Sequence, residues 1–188
     1  AGVERVVCVA YDIASCDEVA RLARVETSVS AVVGIHPHES DRARAEDIAR
    51  VEELGRLPEV VAIGETGLDF YRDWADRSNQ ERLFHEQISL AARLAKPIVI
   101  HSRDAAERLI AVLEEHEGEL TGGVFHCFSG DRAFLDRALA LGFSISIPGT
   151  VTFSKKNGKL AEAVRACPAD RLLVETDCPW LAPAPHRG

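Results

Sequence analysis

The stretch VVAIGETGLDF at residues 60–70 decides how this chain is read. Four apolar residues run into a glycine and then a carboxylate, Glu65, before Thr66-Gly67. A short apolar run bounded by glycine reads as a buried strand, so the acid just past it stands at the strand's C-terminal tip. The same order recurs in PIVIHSRDA at 97–105, GGVFHCFSG at 122–130 and RLLVETDCPW at 171–180, which place His101, His126 and Asp177 just beyond apolar runs. Parallel strands whose tips converge would gather the four side chains at one point, as a (β/α) barrel does when it builds a site. Mixed imidazole and carboxylate donors suit a hydrolytic metal centre, which makes Glu65, His101, His126 and Asp177 candidate metal ligands. Each has a plainer reading alone: a solvated loop carboxylate, two core histidines bonded to backbone, an aspartate capping the turn into Cys178-Pro179. Four matched residues on one rim are hard to obtain from independent structural accidents.

The unit repeats along the chain. Val6–Ala10, Ser30–Val33, Val60–Gly64, Pro97–Ile100, Gly123–Phe125, Phe143–Ile147 and Leu172–Val174 are seven short apolar runs with helical patterns between them. Ser15 with Glu18 predicts a capping box ahead of a helix over Val19–Ala23, and Ser78 with Glu81 predicts another ahead of Leu83–Ala95. Asp104 is the expected cap of a helix running through Leu113 that Gly118 stops, and Gly142 follows a helix over Phe134–Leu141. Alternating strands and helices predict a parallel sheet. The tips at His36, Glu65, His101, His126, Gly149 and Asp177 lie 23 to 36 residues apart, the spacing of a barrel of about 250 residues shared over eight units. A doubly wound open sheet is the alternative, but no GxGxxG follows the first run. The fold class expected is therefore α/β, an incomplete TIM-type barrel with no helix after its last strand, with residues 1–188 as a single domain. The chain holds no methionine and opens directly on AGVERVV; it reads as a fragment of a longer chain.

Neighbours of the four residues carry weaker signals. Gly64 and Gly67 would admit close approach of a metal or phosphate to the backbone, or simply serve turns. Arg103, two residues past His101, could hold a phosphate bidentately. His36 and His38 flank Pro37; His36 is placed near the substrate and His38 as a loop residue. Cys127 and Cys178 adjoin candidate ligands, but alternation along a strand aims neighbours apart and makes them packing thiols. The expected substrate-binding residues are thus His36 and Arg103.

A net charge of −8 argues against a broad basic surface for nucleic acid, though not against a substrate gripped locally by metal ions and a few arginines. With 46% hydrophobic and 28% charged residues, the composition is that of a soluble globular domain, with no apolar run long enough for a membrane span. Five cysteines without CxxC spacing point to a reducing, cytoplasmic setting.

GIHPH at 34–38, AIGETGLDFY at 62–71, PIVIHSRDA at 97–105, FHCFSG at 125–130, ISIPGTVTF at 145–153 and LLVETDCPWLAPAPHRG at 172–188 together resemble the TatD family of metal-dependent deoxyribonucleases. The resemblance runs nearly end to end. It implies a barrel hydrolase related to the amidohydrolases, acting on phosphodiesters of DNA or another nucleic acid, with two divalent ions and no obligatory protein partner. It further implies that Glu65 bridges the metals, that His101 and His126 complete the second, and that Asp177 binds the first and handles the proton of the attacking water; Glu65 and Asp177 are then the catalytic residues. The strand ending in an HxH pair that opens family members has no counterpart ahead of Ala1. Metal identity stays open: histidines suit zinc or manganese, carboxylates and phosphate suit magnesium. A metal-dependent hydrolase of a small ester, lactone or amide is the alternative function, and a scaffold that kept the fold is a third. Replacing Glu65 by glutamine is expected to weaken metal binding while slightly stabilising the metal-free protein, because one of several crowded carboxylates is neutralised.

Overall fold

A computed structural model of the chain describes residues 2–153, 158–178, 180–184 and 186; Pro179 and the Arg187-Gly188 end of the C-terminal motif lie outside them. Seven parallel strands form one sheet in the order in which they occur in the chain. They are β1 (Val6–Val9), β2 (Val29–Val33), β3 (Val60–Asp69), β4 (Ile98–Arg103), β5 (Gly123–Phe125), β6 (Ser144–Ile147) and β7 (Leu172–Val174). The helices between them are α1 (Ile13–Val25), α2 (Ala45–Gly55), α3 (Arg77–Leu94), α4 (Ala106–Glu115), α5 (Arg132–Ala140) and α6 (Gly158–Ala166). A doubly wound sheet reverses strand order part-way; this one never does, so it is an incomplete barrel, open between β1 and β7.

The two faces of the sheet are filled differently. On the inner face Val32, Ala62 and Val99 form a small buried cluster with Val124 against it. The outer face carries larger residues, among them Ile63, Ile98, Ile100 and Phe125, packed under helix residues such as Phe84, Ile88, Leu109 and Leu135. At the open edges the apolar side chains of Val6, Val7, Leu173 and Val174 are exposed.

Helix starts differ from the expected ones by about one turn. Asp12 caps α1, its Oδ1 accepting from the Ser15 amide at 2.8 Å while Ser15 Oγ accepts from the Asp12 amide at 3.0 Å. Ser15 is therefore the third residue of the capping box rather than its first. Asp76 likewise caps α3 through the Ser78 amide at 2.8 Å. In both cases an acid upstream of the serine wins, because its short carboxylate accepts from the serine amide, which has no intrahelical partner, and from the serine hydroxyl as well. Asp104 does not cap α4; it adopts φ 52°, and Ala105 precedes the helix with no side-chain cap.

Strand β3 is the principal departure from expectation. It runs on to Asp69 instead of ending at Gly64. Ile63 pairs with Ile98 and Thr66 with Ile100, so three steps along β3 face two along β4. A bulge of this kind re-aims the side chain it contains, and Glu65 lies within it. Gly64 and Gly67 serve this pairing rather than a turn or a phosphate. A Cβ on Gly64 would lie 2.4 Å from the Val99 carbonyl oxygen, and one on Gly67 would lie 2.1 Å from that of His101.

Gly67 combines that close approach with φ +136°, whereas Gly118 has φ +83° with nothing within 4 Å. Gly67→Ala is expected to cost roughly 2–4 kcal/mol, since the strand pair must part as well as adopt an unfavourable backbone. Gly118→Ala should cost about 1 kcal/mol, from backbone conformation alone. Denaturant melts of both variants check this; equal losses would show that strand contact at Gly67 contributes nothing.

Candidate metal centre

Three elements bring His36 to the site. It follows β2, its amide donates to the Tyr11 carbonyl at 2.8 Å, and its Nδ1 accepts from the His38 amide at 3.2 Å. The preceding Ile35 is clamped at both backbone groups by Gln87 of α3, whose Oε1 accepts from the Ile35 amide and whose Nε2 donates to its carbonyl, each at 2.9 Å. One turn-pair earlier on the same helix, Gln80 Oε1 accepts from the Asp69 amide at 2.9 Å and Nε2 donates to the Asp69 carbonyl at 3.2 Å. Both glutamines are buried on the apolar face of α3. A buried amide there is tolerable because its hydrogen-bonding groups are satisfied.

Glu65 occupies the centre. Its Oε1 lies 2.9 Å from His101 Nδ1, 3.9 Å from His36 Nε2 and 3.9 Å from His126 Nε2. His101 is held on its other side by Asp69, with Nε2 3.1 Å from Oδ2. His126 Nδ1 is 2.8 Å from Glu175 Oε2 and its Nε2 is 3.5 Å from Asp177 Oδ1. The four predicted ligands thus lie in one side-chain cluster, joined by His36. Arg103 has no contact with them among these pairs; it is exposed, with its guanidinium 3.9 Å from the Tyr71 ring centroid.

Three residues that the sequence reading did not place in the site belong to the cluster. Asp69 is completely buried and accepts from the Tyr71 and Arg72 amides at 3.0 Å each, besides facing His101. His38, assigned above to a loop, has Nε2 2.9 Å from Asp69 Oδ2 and a ring centroid 4.4 Å from that of His36. Its 3₁₀ turn over Pro37–Glu39 folds it back, so it does not point away as an extended chain would require. Glu175 binds His126 and accepts from the Cys127 amide at 3.0 Å. It is the first polar residue after Leu172–Val174, the very position by which Glu65, His101 and His126 were chosen; Asp177 lies two residues further on.

The donor set fits divalent cations. His36, Glu65 and His101 present one ligand atom each within 4.8 Å of one another, as do His126, Cys127 and Glu175. Ligand atoms about 2.1 Å from an ion sit roughly 3–3.5 Å apart, close to the spacing found around Glu65. Burial pushes the Cys127 thiol up to about 12, aided by the negative fields of Glu175, Asp177 and Glu65. A neutral thiol is the poorest donor in that group.

Charge within the cluster is strongly polarised. Burial opposes charge on His101, but hydrogen bonds to Asp69 and Glu65 together outweigh it and raise its pKa to about 9. His126 is raised to about 10, where burial is outweighed by Asp177, Glu175 and Glu65. Burial acts against the Glu65 carboxylate too, yet the His101 hydrogen bond and the His126 charge bring it down to about 2. His36, with burial dominant, falls to about 3 and is neutral at pH 7. Glu65 in the metal-free protein therefore faces two cationic imidazoles, His101 and His126, and a neutral His36. Its lowered pKa contributes stability present above about pH 4.5 and lost as pH falls through about 2. Neutralising it should lower the melting temperature of the metal-free protein near neutral pH, the opposite of the expectation from sequence.

A family model described as TatD related DNase matches residues 1–188. The chain is 39% identical over 186 residues to a Bacillus subtilis protein named uncharacterized metal-dependent hydrolase YabD, covering 99% of this chain and 72% of that one. It is 39% identical over 183 residues to the Escherichia coli 3'-5' ssDNA/RNA exonuclease TatD, covering 97% and 70%. Against the protein of the same name from Erwinia amylovora, identity is 44% over 154 residues, 82% of this chain and 60% of that one. The chain therefore spans well under the full length of these relatives. Among solved structures, the Escherichia coli TatD homologue YjjV superposes with a TM-score of 0.92 at 30% identity, covering all of this chain and 72% of that one.

The raised histidines set a pH dependence with a definite sign. Their contribution to the metal-free fold is complete below about pH 6.5 and is lost as pH rises through about 9 and 10. A bound cation needs the same imidazoles neutral, so metal uptake should release about one to two protons near pH 7.5 and tighten with rising pH. Titration calorimetry with Mn²⁺ in buffers of different ionisation heat measures the release; binding without proton release would contradict the assignment of His101 and His126 as ligands.

Proposed function

The chain belongs to the TatD-related DNase family, and from that membership we propose that it serves as a metal-dependent hydrolase of phosphodiester bonds in single-stranded DNA or RNA. The observation that carries the proposal is the placement of Glu65 Oε1 among three imidazoles, within 2.9–3.9 Å of each. Glu65, His101 and His36 would hold one divalent ion, and His126 with Glu175 or Asp177 a second, with Glu65 the donor that both groups would share. Magnesium, manganese and zinc all accept such donors. Ions bound there would neutralise the phosphate and lower the pKa of the attacking water.

The chain's own groups do the rest. Asp177, more exposed than Glu65, is suited to accept the proton of that water at the mouth of the cavity. Asp69 orients His101 through one ring nitrogen and leaves the other for Glu65 or a cation. Glu175 does the same for His126. An amidohydrolase-like reaction on a small ester, lactone or amide is the alternative, and such sites often use a modified bridging lysine. Lys96, the lysine nearest the β4 tip in sequence, points the wrong way: its Nζ bonds the Leu57 carbonyl at 3.1 Å and the Val60 carbonyl, at the opposite end of the sheet. That favours the phosphodiester.

No helix among the described residues is long and apolar enough to cross a membrane, and the five cysteines are free.

Exhaustive EDTA treatment should abolish hydrolysis of a single-stranded oligonucleotide, and Mg²⁺ or Mn²⁺ should restore it. Turnover unchanged by chelation would rule out the metal mechanism. Glu65→Gln should weaken metal binding and lower the rate by ~10³-fold or more, by analogy with losing one transition-state stabiliser. Calorimetric metal affinity and initial rates on that variant check it; near-normal values of both would sink the role given to Glu65.

A further inference from the structure

The chain has two tyrosines and two tryptophans. All four, Tyr11, Tyr71, Trp74 and Trp180, are exposed, and all follow the C-terminal ends of β1, β3 or β7. Phenylalanines take the opposite place: Phe84, Phe125, Phe128 and Phe143 are buried. The aromatic residues with a polar edge therefore gather on the rim that carries the metal-binding cluster, where they contribute little to the core.

Two of them form a built surface. Tyr71 is 54% and Trp74 65% exposed. The Arg72 guanidinium lies 5.1 Å from the centroid of each ring, and Arg103 stacks on Tyr71 at 3.9 Å. The Trp74 ring meets His38 edge-on with centroids 4.7 Å apart. This segment is tied down at its root, because Asp69 Oδ1 accepts from the Tyr71 and Arg72 amides while Oδ2 holds His38 and His101. A surface of two aromatic rings and two guanidinium groups thus adjoins the His38 end of the side-chain cluster.

We infer that Tyr71 and Trp74, flanked by Arg72 and Arg103, form a stacking platform for an unpaired nucleobase of the strand whose phosphodiester lies at the metal centre. The inference rests on the nucleic-acid reading of the site. Aromatic faces accept any base and guanidinium groups add cation–π and phosphate contacts. A base within a duplex has no free face to offer, so the platform selects single strands. It also gives Arg103 its function as a phosphate partner carried on Tyr71.

The test compares oligothymidylate with an abasic oligomer of the same length, which keeps the phosphates and lacks the bases. Trp74→Ala should raise KM for oligothymidylate about tenfold or more, leave kcat within about twofold, and leave KM for the abasic strand unchanged. Trp74→Phe should recover most of the loss. An equal change on both substrates, or none on either, would overturn the inference. Binding is read separately in Trp180→Phe protein, where Trp74 is the remaining tryptophan, with calcium as the divalent ion. Saturable fluorescence quenching by oligothymidylate but not by the abasic strand supports the platform even if the protein hydrolyses neither, in which case the hydrolytic reading alone fails. Hydrolysis without any base-dependent quenching or KM effect retains that reading and removes the platform.

Discussion

His101 is gripped at both ring nitrogens by carboxylates of a single strand, Glu65 on one side and Asp69 on the other. The rest of the site depends on that grip. It requires β3 to run past its apolar stretch, to bulge at Glu65, and to come so close to β4 that only glycine fits at Gly67. Helix α3 secures the arrangement from behind, since Gln80 fixes the backbone of Asp69 and Gln87 that of Ile35, the residue before His36. Gln87 also donates to Thr66 Oγ1 at 2.7 Å, so the same side chain ties the β2 and β3 tips together. A ring held from both sides has lost the freedom to turn, which is how outer partners orient a metal-binding histidine.

Without a metal, that grip is electrostatic. Two imidazolium groups, His101 and His126, lie among Glu65, Asp69, Glu175 and Asp177 and offset their charge. Buried ionic groups of this kind are costly to desolvate, and removing one partner leaves others exposed to the full penalty. Protons on the histidines and divalent ions are therefore alternative ways of balancing the same carboxylates. Under the proposed function, cations held there would supply positive charge where an anionic substrate needs it, whatever the acidic balance of the whole chain.

Much of this was legible in the sequence, for identifiable reasons. Gly123–Phe125 and Leu172–Val174 are short apolar runs with clear punctuation, and both strands have the expected bounds. The parallel order followed from strands and helices in strict alternation. Glu65, His101, His126 and Asp177 lie within short distances of one another in a linked series. Asp69 was hidden because GETGLD breaks the apolar run that marks a strand, although the chain remains extended through it. His38 was hidden because a 3₁₀ turn, not strand alternation, sets its direction. Glu175 obeyed the positional rule and was passed over for a second acid two residues on. The serine caps failed by one turn because an aspartate upstream competes for the same amides, and nothing in local spacing separates the two choices. The surface at Tyr71 and Trp74 depends on contacts with His38 and Arg103 that lie far off in sequence, which no local pattern encodes.

The central claim is that Glu65 and His101 bind a cation between them. Anomalous diffraction from crystals soaked in Mn²⁺ tests it most directly. The account predicts a peak about 2.0–2.3 Å from a Glu65 oxygen and a His101 nitrogen, with Asp69 still hydrogen-bonded to the far side of the His101 ring. A metal bound elsewhere, with the Glu65–His101 hydrogen bond intact, would contradict it.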